Sequence, residues 1–188
     1  QPNEDKALLL DEKYTGKSSI EKRRSMAKEI SNNKCDAAFI TQLDSIAWLL
    51  NIRGNDVPCN PLLLCHGLLY ADGTFELYIN NNKIPKNFYN HVGRDVSVIS
   101  PNNLTEKITK LSGKIIQLDL ASSNGWSKRL LTDAGVIVID KKDPCTLAKA
   151  CKNDVEIKGM KECHIRDAIA ECTFLSWFDD EIIKGYLH

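Results

Sequence analysis

Side-chain catalysis needs a nucleophile, a base or a set of metal ligands, and this chain offers few of each. Its four histidines are His66, His91, His164 and His188. His66 lies inside an apolar, strand-like run, and His164 on the apolar side of a long helix-forming segment. Both read first as packed core residues. His91 falls in a polar stretch, and His188 is the last residue. Seven cysteines are present, none in a Cys-x-x-Cys pair. Cys59 with Cys65-His66, and Cys163-His164, come nearest to metal-ligand spacing. A structural zinc site usually takes two tight pairs, so buried apolar thiols are the simpler reading. Asp179-Asp180-Glu181 is the densest acidic group. On a helix its members diverge by about 100° each, which favours a solvated face over an ion site. The HExxH, GxSxG, Walker A and GxGxxG signatures do not occur, so zincin, α/β-hydrolase and nucleotide-binding readings lack their motif. A cysteine–histidine pair assembled by the fold stays open, because spatial proximity makes one.

The most unusual stretch is residues 51–61, Asn51-Ile52-Arg53-Gly54-Asn55-Asp56-Val57-Pro58-Cys59-Asn60-Pro61. Glycine and two prolines argue against regular structure. Loops held rigidly at the end of a sheet commonly carry function, which makes Arg53, Asn55 and Asp56 the candidate site residues. The planar fork of Arg53 suits a carboxylate. The competing reading is structural: Gly54 supplies an unusual φ, and Asp56 caps a neighbouring backbone group.

The elements that must position this loop follow from hydrophobic periodicity. Residues 1–17 are polar and read as a leading segment or linker. Ser18 precedes Glu21 by three, the spacing of a capping box, and Ile20, Met26, Ala27 and Ile30 then share one side of a helix. Residues 37–40 suit a buried strand, and Asp44 suits the cap of a short helix over residues 45–50. Strand-like runs at 62–70 and 74–80 flank Asp72-Gly73, a strong hairpin signal. Residues 85–91 read as a short helix, 95–99 as a strand, 102–111 as a helix and 114–118 as a strand. Residues 124–134 read as a helix and 136–139 as a strand, and Pro144 opens a helix running to Cys151. The expected fold class is α/β: a mixed sheet flanked by helices on both faces, followed by one long helix. From Asp154 to about Lys184, Ile157, Met160, His164, Ala168, Cys172, Leu175, Phe178 and Ile182 recur at spacings of three and four. That is one apolar stripe, on a helix of about 45 Å, and it needs a partner surface. The expected division is residues 1–17, a domain over 18–145, and a junction plus the first helix of a further domain over 146–188.

The 188 residues are 43% hydrophobic and 27% charged, which excludes overall disorder. No run approaches the roughly 18 apolar residues of a membrane span. Basic and acidic residues balance at 25 each, so no global charge argument supports nucleic acid or an anionic membrane. Gln1-Pro2-Asn3-Glu4-Asp5 lacks the pattern of a secretory signal. An odd number of cysteines without paired spacing does not look like a secreted disulfide framework, so a reduced, cytoplasmic setting is expected.

Residues 43–61, Leu43-Asp44-Ser45-Ile46-Ala47-Trp48-Leu49-Leu50-Asn51-Ile52-Arg53-Gly54-Asn55-Asp56-Val57-Pro58-Cys59-Asn60-Pro61, closely resemble the central-domain segment of three-domain Xaa-Pro aminopeptidases (aminopeptidase P). Residues 148–168, from Ala148-Lys149-Ala150-Cys151 through His164-Ile165-Arg166-Asp167-Ala168, look like that family's junction into its catalytic domain. The resemblance covers essentially the whole chain and is weakest over residues 83–124. It implies a creatinase/prolidase N-terminal-type domain, followed by the start of a pita-bread catalytic domain. It also implies a parent metallopeptidase that releases an N-terminal residue preceding proline, with a divalent metal pair, manganese by expectation. The family's ligands are two aspartates, a histidine and two glutamates of the catalytic domain, and none maps onto this chain. His164 and Asp167 match a helix motif, not ligands. The fragment is then expected to hold no catalytic metal, to be inactive alone, and to support the cleft or subunit contacts through residues 51–61. Cys59 stands where relatives often have an aromatic or larger residue. Xaa-Pro peptides are the parent's expected substrates, and a second copy is the fragment's expected partner, through the exposed long helix. The competing reading is a stand-alone, non-catalytic peptide- or protein-binding module of the same fold.

Overall fold

The computed structural model describes residues 5–186. Its contacts divide the chain into two compact units, Gln1–Cys151 and Lys152–His188.

The first unit is built on strand β2 (Ala37–Ile40), which is buried along its whole length. It pairs antiparallel with β4 (His66–Tyr70) and parallel with β7 (Ile115–Leu118). β5 (Phe75–Tyr78) extends the sheet antiparallel to β4, and β6 (Val96–Ile99) lies parallel to β5. β8 (Ile137–Asp140) lies parallel to β7 at the other edge. The order is β6-β5-β4-β2-β7-β8, the expected mixed sheet. The hairpin between β4 and β5 turns at Asp72-Gly73, where Gly73 has φ +90°. There Asp72 Oδ1 accepts bonds from Thr74 N and Oγ1 at 2.9 and 2.7 Å.

Side-chain alternation along β2 divides the core. Ala38 and Ile40 face one apolar cluster, with Ile30 and Met26 of α2 (Ser19–Asn32), Ile46, Leu49 and Leu50 of α3 (Leu43–Leu50), and Phe88 and Val92 of α4 (Phe88–Val92). Ala37 and Phe39 face the other, with Leu104 and Ile108 of α5 (Leu104–Thr109) and Leu131 of α6 (Gly125–Asp133). The Ser18–Glu21 capping box starts α2, with Ser18 N donating to Glu21 Oε2 at 2.8 Å and Glu21 N to Ser18 Oγ at 3.2 Å.

Several local expectations shift. The leading residues are not featureless: β1 (Leu8–Leu9) pairs antiparallel with β3 (Ile52–Arg53), and a short helix α1 (Glu12–Thr15) ends at Gly16 in the left-handed region. Main-chain pairing of this kind leaves no trace in composition. Asp44 does not cap α3, whose N-cap is Gln42. Asp44 lies in the first turn and pairs with Lys149 of α7 (Cys145–Ala150). That helix belongs to the first compact unit, which runs on to Cys151.

In the second unit, Asp154–Ile183 forms one helix, α8, opened by a capping box between Asn153 and Glu156. The single apolar stripe is incomplete as a description. At about 100° per residue, Ile157, Leu175 and Ile182 fall on one side, Ile165, Ile169 and Ile183 on a second, and Phe174 and Trp177 on a third. All eight are exposed. Charged residues are spread among them. No helix among the described residues is long and apolar enough to cross a membrane.

Gly67 is the second residue of β4, where a Cβ would come within 2.4 Å of Phe75 Cζ and 3.4 Å of Ile46 Cδ1. Gly67→Ala is therefore expected to cost about 1–3 kcal/mol through overpacking. A thermal melt should fall by roughly 2–4 °C for each kcal/mol in a chain of this size.

Candidate functional site

The loop over residues 51–61 starts where α3 stops. Helix α3 is rich in apolar residues and ends in the core, with Leu49, Leu50 and Asn51 all buried. A buried helix end leaves carbonyl groups that must find donors. Asn51 adopts the left-handed conformation (φ 53°, ψ 46°) that terminates such a helix. The Asn51 main-chain N–H turns back to Ala47 O and Trp48 O, and three side chains add donors to this helix end. Lys22 Nζ donates to Trp48 O at 3.1 Å, and Arg53 Nη1 to Ala47 O at 3.1 Å. His91 Nε2 sits 3.2 Å from Leu50 O and 3.0 Å from Asn51 O. The Asn51 side chain is used twice: Oδ1 accepts from Lys22 at 2.7 Å and Nδ2 donates to Lys17 O at 2.8 Å. Lys22 also stands over the Trp48 ring, 4.4 Å from its centroid.

The three candidates have separate surroundings. Arg53, half-buried on β3, directs Nη1 at Ala47 O and at Ile52 O (2.8 Å). Asn55 is exposed, and its Nδ2 donates to Asp5 Oδ2 at 3.1 Å. Asp56 turns inward: its side chain is 4% exposed and pairs with Lys83, 7% exposed. Its second oxygen accepts from Leu64 N at 2.8 Å, so the backbone-capping role read from the sequence is present. Gly54 is a correction. It does not take a positive φ. Glycine is required there by space, since a Cβ would lie 2.2 Å from Leu63 Cδ2. After Asn51, the loop's second left-handed residue is Cys59 (φ 59°), which follows Pro58 in a turn closed by Asn60 N to Val57 O at 3.1 Å.

The outer rim of the loop is Asn55, Pro58, Cys59, Asn60 and Pro61, around an open hollow of about 310 Å³. The hollow offers a rigid apolar edge with amide groups, a contact surface rather than a proton-transfer centre. Lys22, Lys83 and His91, which hold this loop and its base, were not singled out from sequence. Lys83 lies 27 residues from Asp56 with no periodic link to it.

Two buried thiols and one histidine are held quiet, whereas Cys59, Cys151, Cys163 and Cys172 are exposed. Burial pushes the Cys65 thiol up to about 12 and Cys145 well above the ordinary thiol value. His66 is half-buried, stacked on Phe39 at 5.8 Å and tilted against Trp126 at 6.0 Å. Burial holds its pKa below the ordinary 6.5. Among the described residues, no three His, Cys, Asp or Glu side chains come together to hold a metal ion. The described residues therefore do not fit the metal pair that the resemblance implies.

Two outcomes follow. Lys83→Met leaves a buried carboxylate without its cation and should cost about 3–5 kcal/mol in urea unfolding, whereas Lys83→Met with Asp56→Asn should recover most of it. His66 is the second case. Its folded pKa is lowered, so the unfolded chain takes the proton first as pH falls through 6.5. Stability should drop there until pH passes below the folded pKa, and His66→Phe should flatten that limb of the melting profile.

Comparison with known proteins agrees with this architecture. The profile of the Creatinase/Prolidase N-terminal domain matches residues 1–156. A protein of Tuber melanosporum named "Probable Xaa-Pro aminopeptidase P" is 32% identical, over 95% of this chain and 31% of its own length. A protein of the same name from Ajellomyces capsulatus is 34% identical, over 98% of this chain and 31% of its own. The crystal structure of an X-prolyl aminopeptidase from Caenorhabditis elegans, described as a cytosolic enzyme with a di-nuclear active site, superposes with a TM-score of 0.85. It shares 27% identity, over 96% of this chain and 30% of that one. The chain thus spans about a third of the length of these relatives. With its six-stranded mixed sheet and its two-faced helical cover, the chain belongs to the creatinase/prolidase N-terminal domain family.

Proposed function

We propose that this chain is the central-domain portion of an Xaa-Pro aminopeptidase, a metallopeptidase that releases an N-terminal residue preceding proline. The observation that carries this reading is the end-to-end match of the chain to about 30% of proteins bearing that name and of a solved X-prolyl aminopeptidase. The cytosolic setting and two-metal site described for the latter support a cytoplasmic parent that uses a divalent metal pair, manganese by the family resemblance. Neither the pair nor its ligands are placed on this chain. Proline is a distinctive substrate because its ring fixes φ and its nitrogen carries no N–H.

In this reading the chain has a supporting role. The rim of residues 55–61, anchored through Arg53 and Asp56, borders the cleft or a subunit contact. Residues 152–188 lead into the catalytic part, which encloses the several apolar sides of α8. A second reading is a stand-alone module that self-associates through α8, favoured by the exposure of Ile165, Ile169, Phe174 and Trp177.

One comparison separates the two. Hydrolysis of an Xaa-Pro-Xaa tripeptide with added Mn²⁺ is measured for the 188-residue chain and for the full product of its gene. Cleavage by the longer product alone is the expected result. If no longer product exists and the chain sediments as a concentration-dependent dimer, the module reading replaces the peptidase one. In the active product, Arg53→Ala should lower kcat/KM by about tenfold, on the order of 1.4 kcal/mol, if the loop borders the cleft.

A further inference from the structure

We propose that Asn124 is a site of spontaneous deamidation, gated by the first turn of α6. Asn124-Gly125 is the one Asn-Gly pair in the sequence. Both residues are exposed, and a Cβ placed on Gly125 would meet no heavy atom within 4 Å. The space beside Gly125 Cα is therefore open, with no packed neighbour crowding the Asn124-Gly125 linkage.

The chemistry needs only water and base. The Gly125 nitrogen, having given its proton to solvent base, attacks Cγ of Asn124. The new N–Cγ bond forms as the Cγ–Nδ2 bond breaks, and the amide nitrogen leaves as ammonia with a proton from water. Water then adds to one carbonyl of the cyclic imide. Opening at one carbonyl gives aspartate, and at the other isoaspartate.

The folded chain opposes this reaction. Asn124 is the N-cap of α6, with ψ 156°. Its Oδ1 accepts bonds from Ser127 N at 2.9 Å and Ser127 Oγ at 3.0 Å, and Ser127 is fully buried. A closed imide ring is nearly flat, so the Gly125 nitrogen must eclipse Cβ of Asn124. The extended ψ keeps it out of that position, and the two bonds to Ser127 hold the side chain in place. Fraying of the first helical turn releases both restraints.

The two products differ in consequence. Aspartate keeps an acceptor at the N-cap and adds negative charge at the positive end of the helix, so α6 persists. Isoaspartate lengthens the main chain by one carbon and breaks the cap. The disturbed turn contains Trp126, which rests against His66 of β4.

The test is peptide mapping with isoaspartate detection on the 188-residue chain, incubated at mildly alkaline pH with and without urea. Circular dichroism reports the folded fraction in each sample. Conversion should be slow when folded and rise with the unfolded fraction. Ser127→Ala should convert several-fold faster than the parent at equal folded fraction, and Gly125→Ala should suppress conversion in urea. Equal rates with and without urea, or a Ser127→Ala rate matching the parent, would overturn the gate. An unconverted Asn124 in the urea-unfolded chain would overturn the site itself.

Discussion

The buried C-terminal end of α3 is the constraint around which the first unit is organised. Apolar residues carry this helix into the core, so water cannot satisfy its last carbonyls. An orphaned buried carbonyl costs about as much as a lost hydrogen bond, and several would exceed what a small domain can tolerate. The donors arrive from three directions: Lys22 from α2, Arg53 from β3 and His91 from α4. The negative end of the helix dipole favours cationic partners there. Satisfying one helix end therefore fixes the positions of α2, α4 and the start of the loop. β1 joins the same knot, since Leu10 N donates to Asn51 O at 2.9 Å and Leu8 pairs with Arg53.

This placement bears on the function of the loop. Function on a loop is served by a scaffold that does not move, and residues 51–61 are anchored at the near end and in the middle. The near end is tied to α3. The middle is tied by the buried Asp56–Lys83 pair, which fastens the chain to the 3₁₀ turn at Asn81–Lys83. A buried pair of this kind is weak evidence for net stability, because desolvation offsets much of the attraction. Its stronger effect is on register, since an unpaired Asp56 in the same place would be costly. The outer turn at Pro58-Cys59 is then held by proline's fixed φ on one side and a left-handed residue on the other. The ties lie beneath the rim, and Pro58, Cys59 and Asn60 stay exposed above them.

Much of this fold was readable from sequence because its elements obey simple periods. The β2 run, the Asp72-Gly73 hairpin, the Ser18–Glu21 capping box and the alternating strands and helices all rest on local rules. The site was legible in part. Glycine and two prolines mark residues 51–61 as unusual, and a capping role for Asp56 is readable there. Its cation is not, because a pair separated by 27 residues has no local signature. Gly54 shows a related limit. A glycine needed for close packing and one needed for a left-handed φ look the same in sequence, and only the position of Leu63 tells them apart. β1 and β3 are not legible in sequence because two-residue strands are defined by their partners, not by their side chains.

Helix α8 shows how periodicity can mislead when it succeeds. Selecting residues at spacings of three and four finds a stripe in almost any helix with enough apolar side chains. The residues left out of the stripe carry as much information here. Ile165, Ile169, Phe174, Trp177 and Ile183 fall outside it, and all are exposed. A helix apolar on several sides is a poor candidate for lying along one flat surface, where it would still expose large side chains to water. It is suited to enclosure by several elements. A symmetric pair of such helices would cover one side of each and leave the others wet. The physical demand of α8 is therefore for more structure than one copy of itself supplies, and that demand favours the larger peptidase over the self-associating module.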